Sequence, residues 1–363
     1  MTIKRSTTAS LATQVAGQYR QMILSGRLKS GDRLPTIRCL ARELSVSPGP
    51  INSAFRTLEA EGLVRRRTRL GTFVGHFTHP LPASLEISVV FRPVSSWTQE
   101  DRYGLGMFDG IQHGLTDGKH RTVLHTRSET GRMEDCVDLA MEHASHGYIV
   151  DDRVSDALIE RLTTTGRPVV VINRGCSVPG VSAVFRDNAQ AGAEAARQLL
   201  RRGHRVTGCI SRADWNGRQT AEAFLQEMFD AGFALQPNRV VTYGGSTGEN
   251  SIGGFVTRLL CTAPMPTAIY CTDDRLAGMV YWAVKDSGLR IGEALSLVGT
   301  LDLGMAALQD PPLTTFRFDP ERIGRAAVEE LVARCRDTDR PAQAIAIPGV
   351  WVERQSLISL KVR

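Results

Sequence analysis

The sequence has no cysteine pair at metal-binding or redox spacing. Its seven cysteines, at 39, 136, 176, 209, 261, 271 and 335, are scattered and odd in number. This excludes a zinc or disulfide framework and predicts reduced thiols in a cytoplasm, with no metal. No phosphate loop, HExxH helix or GxSxG elbow occurs either, so neither a cofactor nor catalysis is predicted. Long apolar runs are missing. A run such as "PVVVI" at 168–172 is strand-sized and far short of a membrane span, so no membrane partner is expected. The start, "MTIKRSTTAS", has no apolar stretch behind its charges, and no secretory leader is expected.

Acidic residues are scarce in one region only. Residues 1–80 hold 13 Lys and Arg against 4 Asp and Glu, whereas the remainder holds 31 against 34. A basic head on a slightly acidic body is the electrostatic form of a nucleic-acid-binding module joined to something else. The alternative on charge alone is a solvated basic surface without a partner.

The head reads as three helices and a hairpin. "QVAGQYRQMILSGRL" places Val15, Tyr19, Met22 and Ile23 on one helical face, and Gly26 follows as a stop. Thr36 can cap "IRCLARELS", whose Ile37, Leu40, Ala41 and Leu44 form a core stripe. A third helix, roughly 48–61, buries Ile51, Ala54, Phe55 and Leu58, with Ser47 as its N-cap. Pro48 and Pro50 fall in its first turn, where backbone N–H groups have no helical acceptor, so they mark a start and not a break. Gly49 between them lets the backbone come close to a neighbour. "EGLVRRRTRLGTFVG" then alternates as a basic hairpin anchored by Leu63, Val64, Phe73 and Val74. The predicted module is a small α+β winged helix-turn-helix over residues 8–75, followed by a proline-bearing linker over 76–85.

"ILSGRLKSGDRLPTIRCLARELSVS" followed by "LEAEGLVRRRTRLGTFVG" resembles the DNA-binding head of the GntR family of bacterial transcription regulators. The resemblance implies that Thr36 and Arg38 contact DNA, that Ser47 and Gly49 meet the backbone, and that Arg67, Arg69, Gly71 and Thr72 form a wing entering the minor groove. Pro48 and Asn52 stand where the family usually has arginine. Arginine reads guanine and asparagine suits adenine, so a changed operator is expected, unless Asn52 faces solvent. The arginines from 65 to 69 suit phosphate better than bases.

Beyond residue 85 strands and helices alternate in two series, from "LEISVVF" to "PVVVINR" and from "AGAEAARQLLRRG" to "LSLVGT". Repeated βα units predict doubly wound parallel sheets in two lobes, with a cleft at the strand C-termini. The pieces resemble the effector domain of the LacI family, an α/β two-lobe, periplasmic-binding-protein-like fold, over residues 86–360. The resemblance implies lobe 1 at about 86–185 and 317–338, and lobe 2 at about 186–316 and 339–360.

It also implies cleft positions at Ser95, Ser96, Trp97, Asp187 and Asp273. Trp215 and Arg218 are candidate replacements for a stacking face and a cation, and Asp302 completes the candidate effector set. Thr220, Gly245 and Leu301 depart from the family's arginine, aromatic and aspartate. For Asp187 a helix cap is compatible with ligand contact, and for either tryptophan packing is the alternative.

These readings lead to a DNA-binding transcriptional regulator, a repressor. Its partners would be a palindromic double-stranded operator, a sugar-like or other polar effector, and a second copy in a homodimer. In an alternative, the DNA head is kept while the effector lobe has lost its ligand and serves dimerisation or protein contact. An enzyme is a third class, disfavoured because the body is too short for the aminotransferase-like bodies that GntR heads also carry.

Overall fold

The computed structural model describes residues 11–360, except 25–26, 29–30, 45, 62, 68–70, 75–83, 92–101, 127–130, 144, 245–250, 286 and 338. The chain divides into two units, Met1–Ser84 and Leu85–Arg363.

In the first unit, α1 (Leu11–Leu24), α2 (Ile37–Glu43) and α3 (Pro48–Ala60) precede a hairpin of β1 (Val64–Arg67) and β2 (Gly71–Val74). The strands pair antiparallel from Val64 opposite Val74 to Arg67 opposite Gly71. One core holds the unit together: Val15, Tyr19, Leu40, Ile51, Phe55, Leu58, Val64 and Val74 are buried in it. Tyr19 meets Phe55 edge-on at 5.7 Å. Thr36 begins α2 by accepting a hydrogen bond from the Cys39 amide at 3.2 Å. Ser47 differs from expectation. It occupies the N-cap of α3 but its side chain makes no capping bond. The helix start rests on the fixed φ of the prolines in its first turn.

The second unit holds two parallel sheets. The first contains β3 (Glu86–Val90), β4 (Arg121–His125), β5 (Gly147–Val150), β6 (Val169–Ile172) and β7 (Ser182–Arg186), with α4 (Arg102–Asp117), α5 (Met133–Glu142) and α6 (Asp156–Thr163) between them. The second contains β8 (Thr207–Arg212), β9 (Val240–Tyr243), β10 (Ala268–Cys271) and β11 (Ser296–Val298), with α7 (Asn188–Arg201), α8 (Trp215–Asp230), α9 (Ile252–Leu260) and α10 (Asp274–Lys285). The last part of the chain supplies β12 (Thr315–Arg317), α11 (Pro320–Arg336), β13 (Ala344–Ile347) and β14 (Val350–Val352). The strand orders are β13-β7-β6-β5-β3-β4 and β11-β10-β8-β9. β5 and β6 are buried at every residue, as strands covered on both faces by helices must be.

The chain crosses between lobes three times: after β7, at β12, and between β13 and β14. The return to the first lobe extends beyond the residue 338 assigned from sequence. β13 adds to the open edge of β7 in parallel register, Ala344 opposite Ala183 and Ile347 opposite Arg186. Residues 344–347 therefore belong to the first lobe, and 350 onwards to the second, because an unpaired edge beside β7 gives this short strand its hydrogen bonds. β12 and β14 pair antiparallel where the crossings meet.

Glycines set the closest helix contact. A Cβ on Gly110 of α4 would lie 2.0 Å from the Glu321 carbonyl oxygen, and one on Gly324 of α11 would lie 2.1 Å from that of Met107. The two backbones touch, which side chains at either position would prevent.

Candidate functional site

The head displays exposed arginines on its second helix and further along its third. Arg38 is exposed on the first turn of α2, and Arg42 follows it. Ser47 and Gly49 are exposed at the start of α3, and nothing lies within 4 Å of where a Gly49 Cβ would be. The space it leaves is open to an outside partner. Arg56, exposed one turn past Asn52 on the same face, was not singled out in the sequence.

Asn52 is neither solvated nor poised over a groove. It is half-buried, its Oδ1 accepts from Arg66 Nη1 at 3.0 Å, and its carbonyl oxygen accepts from Arg66 Nη2 at 3.1 Å. Glu59 completes the clamp: Oε1 accepts from the Arg66 amide and Oε2 lies 3.2 Å from Nε. The acceptor edge that adenine would use is thus engaged within the chain, and Arg66 ties the wing to α3 instead of binding phosphate. Arg67 ends β1 opposite Gly71, and Thr72 offers its carbonyl to Leu34 N at 2.9 Å. Gly71 has φ of +117°, a conformation that favours glycine, and a Cβ there would also press on the Arg33 side chain at 3.0 Å. Arg69 lies outside the described residues.

In the body, the C-terminal ends of both sheets carry polar side chains. Arg186 closes β7 and is 5% exposed. Its Nε donates to Asn188 Oδ1 at 2.8 Å. Asn188 Nδ2 donates to Asn216 Oδ1 at 2.8 Å, and Asn216 Nδ2 to the Asn173 carbonyl at 2.7 Å. This relay links the start of α7 and α8 in one lobe to the loop after β6 in the other. Asn173 has φ of +63° and donates to Asp152 Oδ2 at 2.6 Å. Leu301 and Asp302 also have positive φ, 112° and 53°. Asparagine and aspartate tolerate this conformation, so the strained position of the three is Leu301.

Each candidate effector residue has a defined setting. Asp187 caps α7, accepting from Gln190 N at 2.9 Å. Trp215 is half-buried, edge-on to Phe185 at 5.1 Å, and so close to Gly175 that a Cβ there would lie 2.8 Å from Cζ2. Arg218 turns back to the Ala213 carbonyl at 2.8 Å. Asp273 is buried and accepts two bonds from Arg275, at 3.0 and 2.9 Å. Asp302 accepts from Arg354 Nη2 at 2.6 Å. Ser95, Ser96, Trp97 and Gly245 lie outside the described residues. Thr220, expected in an arginine's place in the cleft, is fully buried between α7 and α8, where its hydroxyl bonds Asn188 and Asn216.

Sequence reasoning passed over Arg186, Arg212, Asp214, Asn216 and Asp274. Burial opposes the charge of Asp214, but Arg212 at 2.6 Å, the Gly217 amide and Arg186 hold its carboxyl below the usual range. Asp274 is the opposite case. Burial raises its pKa to about 8, although Thr315 and Leu303 donate to it. It fastens the start of α10 to the crossing at β12. No helix among the described residues is long and apolar enough to cross a membrane.

Comparison with known proteins places these two units. Residues 176–357 match the periplasmic binding protein-like domain, and residues 11–74 match the bacterial regulatory proteins of the gntR family. The ribose operon repressor of Haemophilus influenzae is 23% identical over 359 residues, 97% of this chain and 98% of its own. The probable opine utilization operon repressor of Rhizobium rhizogenes is 30% identical over 182 residues, 47% of this chain and 90% of its own. A LacI family transcriptional regulator from Enterococcus faecium, solved with bound ribose, superposes with a TM-score of 0.61 at 20% identity, covering 76% of this chain and all of its own. These curated relatives are transcriptional repressors, not enzymes.

Proposed function

The chain belongs to the periplasmic-binding-protein-like family of bacterial regulators and carries a GntR-family head, and we propose that it is a cytoplasmic repressor controlled by a polar small molecule held between the lobes of its body. Two copies bind a palindromic operator. Arg38, Arg42 and Arg56 meet DNA phosphates and bases, Thr36, Ser47 and Gly49 face the backbone, and the wing with Arg67, Arg69, Gly71 and Thr72 enters the minor groove. Asn52 serves this reading by fixing the wing through Arg66. Exposed Met279 and Trp282 on α10, with Leu308 in the segment packed beside it, support the second copy as a partner.

The observation that carries ligand control is the asparagine relay from Arg186 to Asn173, a line of buried polar groups spanning both lobes where the chain crosses between them. A ligand bonded to both ends favours the closed lobes over the open ones. Only such a difference in affinity can move the heads. A second reading is favoured by the ion pairs that already occupy Asp273 and Asp302, and by the burial of Thr220. In it the body serves dimerisation without a ligand.

Fluorescence anisotropy on DNA from the protein's own promoter, with a scrambled competitor, separates the two. Sequence-dependent binding altered by one pool of sugars, nucleosides or organic acids supports ligand control. Specific binding that no pool alters supports the second reading.

A further inference from the structure

We propose that the cleft holds its effector by an oxyanion, a carboxylate or a phosphate ester, and that Arg186 is the residue that selects it; this rests on the ligand-controlled reading above. Arg186 sits at the last position of a buried strand, yet no carboxylate lies within ion-pair distance of it among the described residues. Its only hydrogen bond there runs from Nε to Asn188 Oδ1. Tyr103 and Phe318 flank it, their ring centres 5.7 and 5.8 Å from the guanidinium carbon. A buried cation without an anion is costly, and two aromatic rings compensate only in part.

The nearby carboxylates are committed elsewhere. Asp214 accepts from Arg212 and from the Gly217 amide, and Asp273 takes Arg275 through both oxygens. Arg212 and Arg275 therefore each hold a carboxylate by hydrogen bonds, and among the described residues Arg186 holds none. Its orientation is fixed from behind. Asn188 holds Nε, Thr220 donates to the same Asn188 oxygen, and Asn216 anchors the other end of that amide. What remains for a ligand is the edge carrying both Nη groups, neither of which bonds a described residue. That edge is the fork that grips two oxygens of one carboxylate or phosphate. Asn188 is a positioning residue for it, and Thr220 could not replace it because it is fully buried.

The test follows the melting of the full-length protein as inorganic phosphate or acetate replaces chloride at constant ionic strength, for wild type, Arg186→Met and Arg186→Lys. Wild type is expected to melt higher in one oxyanion. A phosphate response identifies the ester, and an acetate response the carboxylate. Arg186→Met is expected to lose the response, its apparent affinity falling about tenfold or more. Arg186→Lys, which keeps the charge and loses the fork, is expected to respond more weakly than wild type. The proposal is overturned if wild type and Arg186→Met respond alike, or if neither oxyanion exceeds chloride. It is also overturned if a neutral sugar alters melting and DNA binding equally in both proteins, an outcome that leaves ligand control standing. An Arg186-dependent rise with no metabolite effect on DNA binding has the opposite meaning: the oxyanion site stands and ligand control fails.

Discussion

In the head, Arg38, Arg42, Arg56 and Arg65 stand exposed, while at the strand ends of the body Arg186 is buried and Arg212 and Arg275 clamp aspartates. The same side chain is used as a solvated charge in one place and in the other as a fork held by aspartates or, at Arg186, buried. Exposed arginines attract a polyanion over a long range and lose that attraction in salt; buried ones discriminate between small ligands by geometry.

The comparison can be broken most sharply at Asp273. Its replacement by alanine leaves Arg275 and Arg212 beside a vacated buried position, and chemical denaturation is expected to show a loss of about 2 kcal/mol, tempered by the half-exposed guanidiniums. A null result would mean that the cleft arginines are no more committed than those of the head. Next in size, Arg38→Ala is expected to weaken operator binding about tenfold and flatten the slope of affinity against salt by about one ion, with melting unchanged. Unaltered salt dependence would remove Arg38 from the DNA surface.

A smaller effect tests a head arginine that behaves like those of the cleft. Arg66→Ala and Asn52→Ala are expected to destabilise the head by about 1 kcal/mol each, with the double substitution costing less than the sum. Strict additivity would show that their bond carries no energy.

The smallest effect concerns pH. His125 and His204 in the body have pKa values lowered from 6.5, chiefly by burial, and no histidine occurs within residues 11–74. Because each folded pKa lies below the unfolded one, the unfolded chain binds more protons below pH 6.5, and the body loses stability as the pH falls through that value. Calorimetry should show the body's transition moving down with acid. His204→Asn should reduce that movement, and an equal slope in the variant would exclude His204 as a source.

The helices of the head were legible because their apolar stripes repeat at helical spacing, and the βα order of the body because short, mostly apolar runs such as "VVVI" recur between helical stretches. The Asn52–Arg66 bond was not, since the partners sit fourteen positions apart across a turn and no periodicity joins them. Arg186 was hidden as one cation ending an apolar strand, "SAVFR", which reads as the strand's limit. The burial of Thr220 was not legible either: it comes from the tight contact of α7 and α8, where a Gly192 Cβ would lie 2.1 Å from the Thr220 carbonyl oxygen. β12, β13 and β14 are three or four residues long, too short for an alternating pattern to stand out.

The pairing of α4 with α11 and of β7 with β13 has a consequence for the newborn chain. Translation makes α4 and β7 early, yet their partners follow only after the whole run from α7 to β12. The second lobe, contiguous except for its final strand, can collapse while the first still shows a bare sheet edge and an uncovered glycine face on α4. The lobe begun first waits while most of the other is made, and throughout that interval it is the part of the nascent protein most in need of a chaperone.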